Sequence, residues 1–594
     1  MKKKTALVFS GLLKTWFKNK KNILIGGWCN IDEIENPKYK KFLTVLNKKE
    51  LKNNEISERK ICEVYYEKLL EDVKDNLENH YKVNWNNRSW EIFLGPWLER
   101  YISTLFNRYY SLENVLKNYR INDLKINNDK KFNLLTKDQL DFRVVSQDDE
   151  WNFKLYSKIY LKYFRKKKGI NLHFLNINSK KYSFSNNGNV STNISFFIFK
   201  KIKIFFLKII DKNTKHIFYR TYFGNKRFIF LVNLIKANIP FRYDFNYNLP
   251  NIESLNEIRK QKLKSKFKLN KFEKILRDLF FEFLPFYYLE QISNLKDLSK
   301  NLFLPSVKNR KIYTAAGMWY DDIFKFWLAE AISKDSKLYY FQHGCNYGIT
   351  KQSFLENLEI KLSDKFFTWG WKNKKNKIKN FYSIKLIGKK KIKKINSDKI
   401  LVVGSCPLIY KSGNTSGTTY GKKTKDYLRY VVDLLKYLSD LKKNKIFFRP
   451  FPVEDYNHKL NFLSLDRYVK KNLKLIRISN SKMDFYKCLI EYGLTIHTRD
   501  GTSFFESIAL NKPTILMMPK WLAHQRKSSL KYYSRLKDAK ILHENIKSLN
   551  NFLKANDFND WWYDKKTQFV KNEFCKEYCH VVENPVKEFT NKVL

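Results

Sequence analysis

The chain has 594 residues, enough for two to four domains at roughly 150 residues each. Hydrophobic residues at 43% and aromatic residues at 16% exclude a disordered chain and allow a large core. Lys and Arg number 115 against 58 Asp and Glu, a formal charge of +57, but the excess runs from Lys2 to Lys592 through every segment, which argues against a dedicated nucleic-acid motif.

Residues 5–10 read as a first strand rather than the apolar part of a signal peptide, because Lys14 and Lys18 follow at once and no small-residue cleavage site appears. Runs at 23–25 and 91–94, the second closing in Gly95-Pro96, carry the apolar character and turn punctuation of buried strands. From about 118 to 300 the sequence is expected to form a helical or inserted part of a first domain, 1–375, with an Asn/Lys-rich patch at 176–193. Within it, 146–152 reads as a capped helix start, since carboxylates favour a first turn, and 271–292 as an amphipathic helix. Strands at 311–315 and 338–341 flank a helix at 321–332.

The Lys/Asn-rich stretch 376–397 reads as a linker to a second domain, 398–560. There, strand 400–403, helix 424–441, strands 446–448 and 473–476, helix 483–490, strand 494–497, helix 502–510 and strand 514–517 alternate, which implies a parallel sheet covered on both faces. Residues 561–594 are helical in pattern. The apolar runs at 202–210 and 228–235 fall short of the roughly 18 residues a spanning helix needs. Seven scattered cysteines without a C-x-x-C suit a reducing, cytoplasmic compartment.

Three segments carry candidate chemistry. In the run 497–506 a buried strand ends at Thr498 and a helix opens after Gly501, so the N–H groups of Thr502 and Ser503 would meet a phosphate, with Asp500 or Glu506 on a ribose. Ser503 and Glu506 also satisfy the S/T-x-x-E capping box, which explains both residues by capping alone. In the run 339–348, His343 sits at the carboxyl end of a strand between Gln342 and Gly344, where it suits proton removal from an acceptor or stabilisation of a diphosphate; a structural histidine is the alternative. Asp321 and Asp322 open a helix, as caps or as a base. Arg449, ending the strand 446–448, is a candidate phosphate clamp. No Asp-x-Asp, P-loop, G-x-S-x-G or H-E-x-x-H occurs, which disfavours Asp-x-Asp metal-dependent sugar transfer and the kinase, hydrolase and zinc-protease classes.

The chain resembles the transferases encoded in O-antigen and other surface-polysaccharide gene clusters. The resemblance rests on Gly26-Gly27-Trp28-Cys29, Arg88-Ser89-Trp90, Leu94-Gly95-Pro96-Trp97, Asp148-Asp149-Glu150-Trp151-Asn152, Gly317-Met318-Trp319, Gln342-His343-Gly344, Thr368-Trp369-Gly370-Trp371 and the run from Asp500 to Pro513. The Gln-His-Gly element is similar to that of capsule and Kdo-type transferases, and the run 500–513 to the donor segment of GT-B glycosyltransferases and of teichoic-acid glycerophosphotransferases. This implies an α/β, GT-B-like fold with two Rossmann-like domains facing across a cleft, a helical insertion in the first and C-terminal helices. It further implies metal-independent sugar transfer from a nucleotide-sugar donor to a glycan or lipid-linked acceptor, with no other cofactor. Arg449, Thr498, Asp500, Gly501, Thr502, Ser503 and Glu506 would hold the nucleotide. His343, Asp321 and Asp322 would be catalytic, with Gln342 and Gly344 supporting the loop. The basic surface adds a peripheral attraction to the anionic inner membrane, without specific nucleic-acid binding. CDP-polyol phosphotransfer, a basic nucleic-acid-binding protein and a non-catalytic scaffold are the competing readings.

Overall fold

A computed structural model describes residues 4–34, 36–47, 55–166, 169–177, 215–225, 228, 241–242, 255–302, 308–405, 407–413, 419–442, 444–451, 465–480 and 483–594. Most of the Asn/Lys-rich patch and of the apolar runs at 202–210 and 228–235 lies outside them. The described strands form three sheets, and every pairing within them is parallel. β1 (Thr5–Val8), β2 (Lys21–Leu24), β3 (Thr44–Leu46), β4 (Asp123–Asn127) and β5 (Asn171–Leu175) make the first, in the order β3-β2-β1-β4-β5. β6 (His216–Tyr219), β7 (Phe241–Arg242), β8 (Lys311–Thr314), β9 (Lys337–Phe341), β10 (Lys365–Phe367) and β11 (Ile378–Lys379) make the second, in the order β11-β10-β9-β8-β6-β7. β12 (Ile400–Val403), β13 (Ile446–Arg449), β14 (Arg477–Ile478), β15 (Leu494–His497), β16 (Thr514–Met517) and β17 (Leu542–His543) make the third, in the order β14-β13-β12-β15-β16-β17.

Where two sheets were expected there are three, because the segment before residue 380 holds two. The strands that hid this are short, and β6 and β7 lie in text too rich in Lys and Asn for a pattern to show. Residues 91–94 are not a strand. They sit inside the helix Asn87–Asn118, in which Trp90, Ile92, Phe93, Leu94, Trp97 and Leu98 are all fully buried. A helix buried on every side has no polar stripe, so its apolar run mimics a core strand. The expected helix at 271–292 breaks before Pro285 into Lys271–Phe283 and Phe286–Leu289, as the restriction on a residue preceding proline demands. The strand expected at 473–476 falls at Arg477–Ile478, and the capped start at 148 is present: Asp148 accepts from the N–H groups of Glu150 and Trp151.

One continuous apolar core links the three sheets, running from Leu7 through Leu338 to Cys579. The first sheet is welded to the third-sheet unit by backbone bonding. Gln147 accepts from the N–H groups of Ile409 and Tyr410 (3.0 Å each) and donates to the Tyr410 carbonyl (3.0 Å), while Arg108 donates to the Lys411 carbonyl (2.6 Å). The last helix, Pro585–Lys592, returns to the second sheet, where Phe589 packs against Phe218, Phe341 and Phe381. No helix among the described residues is long and apolar enough to cross a membrane.

Candidate active site

The loops that follow the carboxyl ends of β9 in the second sheet and β15 in the third meet, and the carboxyl end is where open parallel sheets place ligands. Their contact is direct. The Cys345 N–H donates to Thr502 Oγ1 (3.3 Å), Lys351 N–H to the His524 carbonyl (2.8 Å) and Arg526 N–H to the Ile349 carbonyl (2.7 Å).

On the third-sheet side, β15 runs through 498–501 into the helix Thr502–Ala509. The N-cap of that helix is Gly501, and no side chain caps it. The capping box that Ser503 and Glu506 spell in sequence therefore does not form. Ser503 Oγ is bonded to His497 Nδ1 (3.3 Å), and Glu506 pairs with Lys385 of the short helix Ile384–Leu386 (2.5 Å). The N–H groups of Thr502 and Ser503 find no acceptor among the described residues, which leaves the positive end of the helix open. A Cβ on Gly501 would meet nothing within 4 Å among the described residues, so they leave room at the start of the helix. His497 is buried, which pulls its pKa down to about 3, and as a neutral ring it bonds Ser503 and Ser507 beneath the helix.

The other donor-side residues are engaged in the fold. Thr498 donates to the Val403 carbonyl (3.0 Å) and shares a hydrogen bond with Tyr427 (2.6 Å), tying β15 to β12. Asp500 accepts from the Tyr533 hydroxyl (2.6 Å), with His524 and Gln525 each 3.4 Å away. The Arg449 guanidinium donates to the carbonyls of Asn480 and Met483 (2.7 Å each) and lies over the Phe485 ring. Two of its three nitrogens are thus taken by backbone rather than presented as a fork.

On the second-sheet side, Gln342 shapes the loop after β9. Its amide donates to the Gly344 carbonyl (2.8 Å) and accepts from Trp369 N–H and Trp371 Nε1 (2.9 Å each). Gly348 has φ +72°, and a Cβ there would strike the Trp371 ring at 2.6 Å, so only glycine fits. Gly344 lies 3.4 Å, measured from an added Cβ, from Thr502 Oγ1. His343 is partly exposed, and its Nδ1 is 3.1 Å from the Tyr347 hydroxyl. Burial, then the nearby charge of Lys385, lowers its pKa to about 4, against the opposing pull of a hydrogen bond at the Ala315 backbone. The ring is neutral at neutral pH.

Asp321 and Asp322 stand close by but are occupied. Asp321 caps the helix Asp322–Ser333 by accepting from Phe324 N–H (2.9 Å), and it also accepts from the Tyr219 hydroxyl with Arg220 3.8 Å away. Asp322 is paired with buried Lys325 (2.6 Å) and accepts from the Tyr288 hydroxyl (2.8 Å). Among the described residues no group of three or more His, Cys, Asp or Glu side chains could hold a metal ion.

Five residues of this site have no role in the sequence-based expectations. Lys385 hides in a lysine-rich stretch. Glu359 occupies an ordinary-looking helix, and Tyr347, with Gly348 part of the run that carries the resemblance, has no chemical role assigned there. Arg220, at the end of β6, has φ +43°, and Tyr222, two residues on with φ +57°, brings its ring to 6.2 Å from that of His343. Non-glycine residues at positive φ concentrate at functional sites, but that signal is invisible in sequence. Compared with protein families, residues 5–593 match a model described as LIC12162 family transferase. No curated protein matches the chain.

Proposed function

The chain belongs to the LIC12162 family of transferases, and from that premise we propose that it moves a sugar from a nucleotide-activated donor to a growing surface glycan. In this reading the diphosphate lies on the open start of the helix Thr502–Ala509, His343 meets it from the second sheet, and Lys385 supplies charge between them. The observation that carries the reading is the uncapped helix start at Gly501 facing the Gln342–His343–Gly344 loop. Helix starts with unsatisfied N–H groups stabilise phosphate, and a fully parallel sheet offers its carboxyl end to nucleotides. Donor binding needs no metal in this scheme, because the helix and Lys385 provide the positive charge. Gly501, Thr502 and Ser503 are the donor contacts; Arg449, Thr498 and Asp500 act by bracing the loops beneath. A lipid-linked acceptor, with the basic surface against anionic headgroups, completes the proposal.

The test is a thermal-shift screen with UDP, GDP, TDP, CDP and CMP. A ligand at about 100 times its Kd adds about 2.7 kcal/mol of stability, so one nucleotide class should raise the melting temperature selectively. No shift with any of them rejects the donor site. With the matching donor, His343→Ala should stay folded and lose roughly 10²- to 10⁴-fold in turnover. A phosphodiester in the product would instead assign polyol phosphate transfer.

A further inference from the structure

Behind His343 lies a chain of side chains that the donor site does not use. The Tyr347 hydroxyl, 3.1 Å from His343 Nδ1, shares a 2.8 Å hydrogen bond with Glu359 Oε2, and Glu359 Oε1 accepts from Trp319 Nε1 at 2.6 Å. Glu359 Oε1 is also 3.7 Å from His343 Nδ1. Glu359 is completely buried on the helix Phe354–Leu362. Around this chain stand Tyr340 on β9, Tyr222 after β6, Lys385 on the short helix Ile384–Leu386, and Glu356 on the same helix as Glu359, itself paired with Arg526 at 2.9 Å.

The Tyr347 hydroxyl has one proton and two neighbours able to accept it. With Glu359 ionised, Tyr347 donates to the carboxylate, His343 donates from Nδ1, and Nε2 carries a lone pair: the histidine is a base. With Glu359 neutral, its own O–H donates to Tyr347, Tyr347 donates to Nδ1, and the ring proton sits on Nε2: the histidine is a donor. Both patterns satisfy the hydrogen bonds along this chain, but the contact with the Ala315 backbone also calls for a ring N–H, and with Tyr347 at Nδ1 it falls to Nε2; that contact and the burial of Glu359 decide between them. An ionised carboxyl in the interior with no cation against it is costly, and burial, aided by the Glu356 charge, holds Glu359 well above the usual carboxylate range while the bonds from Trp319, Tyr347 and Tyr340 pull it back.

We infer that Glu359, kept as the neutral acid, is a positioning residue that makes Tyr347 donate to Nδ1 and so fixes His343 as a neutral Nε2–H donor to the departing phosphate. This rests on the proposal that a nucleotide-activated donor binds at the Thr502 helix start. In the step, the acceptor oxygen bonds to the anomeric carbon as the carbon–oxygen bond to phosphate breaks. The electron pair stays on the phosphate oxygen, which takes the Nε2–H hydrogen bond, and the acceptor's proton passes to the departing phosphate. His343 keeps its proton throughout. A neutral imidazole stabilising a developing anion is an effective device because it pays no cost for a buried cation.

Full-length protein labelled with ¹⁵N-histidine reports the ring tautomer without any substrate, the His343 signals being assigned by their loss in His343→Ala. At pH 7 the wild type should show Nε2 protonated and Nδ1 bare. Glu359→Gln should keep that pattern, because the amide still donates to Tyr347, and Tyr347→Phe should lose it. A protonated Nδ1 in the wild type, or a tautomer reversal in Glu359→Gln, overturns the inference. In turnover of the sugar conjugate of whichever nucleotide stabilises the protein, Glu359→Gln should stay within about threefold of wild type. Tyr347→Phe should lower kcat about 10- to 100-fold with KM unchanged. Unchanged kcat in Tyr347→Phe rejects the relay alone, whereas full activity in His343→Ala rejects the site on which it rests.

Discussion

Gly501 is the residue on which a ligand-specific effect can be separated from a structural one. Its φ of −78° is open to any residue, and an added Cβ meets no atom within 4 Å among the described residues. Gly501→Ala should therefore leave the melting temperature of the free protein within about 1 °C, since surface changes without lost contacts shift stability little. The methyl group would stand where a phosphate approaches the Thr502 and Ser503 N–H groups, so the stabilisation by nucleotide should fall by at least about 1.4 kcal/mol, a tenfold loss of affinity. Equal shifts in wild type and variant would move the donor away from this helix. At this scale the sequence was informative only where a residue type and its placement coincide. His343 and Gly501 could be singled out because each follows a strand, but Ser503 and Glu506 spelled a capping box that tertiary partners, His497 and Lys385, prevent from forming. Glu359 could not be found, because nothing local distinguishes a buried carboxyl from a solvated one on a helix.

Among elements, the start of the helix Asp149–Tyr163 has two neighbouring carboxylates with different jobs. Asp148 caps its own helix, bonding Glu150 and Trp151. Asp149 reaches outward, accepting from the Gly11 N–H (2.8 Å) at the end of β1 and from the Tyr410 hydroxyl of the third-sheet unit. Asp148→Ala should cost about 1 kcal/mol, the usual value of a lost cap. Asp149→Ala leaves a backbone donor and a buried hydroxyl unsatisfied and should cost more, about 2–4 kcal/mol at roughly 1–2 per group. Urea unfolding of the two variants checks the order; equal midpoints would show that the junction between the first sheet and residues 409–411 is not a source of stability. The sequence identified this helix start through its local carboxylates, whereas the partners of Asp149 lie 138 and 261 residues away in the chain and had no local mark. Residues 91–94 of the helix Asn87–Asn118 resemble a strand for the complementary reason: burial on every side over 89–99 erases the periodicity there.

For the whole molecule, the alternation after residue 398 disclosed the third sheet because its central strands, β12, β13, β15 and β16, are mostly apolar and alternate with helices, while β6 and β7 of the second sheet lie in Lys- and Asn-rich text. Its ionisation behaviour is likewise a property of tertiary burial. His343, His497 and His543 are depressed by burial to about 4, 3 and 4. A folded pKa below the unfolded value near 6.5 means that the unfolded chain binds the proton first. The associated stability is present above pH 6.5 and is lost as pH falls towards 4. Asp138, raised to about 7 by burial and the nearby Asp322 charge, works against this trend between pH 4 and 7, so the wild-type curve alone mixes opposite contributions. The difference between wild type and His497→Gln isolates one of them, because the amide can still bond Ser503 and Ser507 yet cannot take up a proton. Between pH 7 and pH 5 the wild type should lose about 2 kcal/mol more than the variant. Denaturant midpoints measured at both pH values should thus converge on acidification, and parallel shifts in the two proteins would mean that His497 is free to ionise within the folded third-sheet unit.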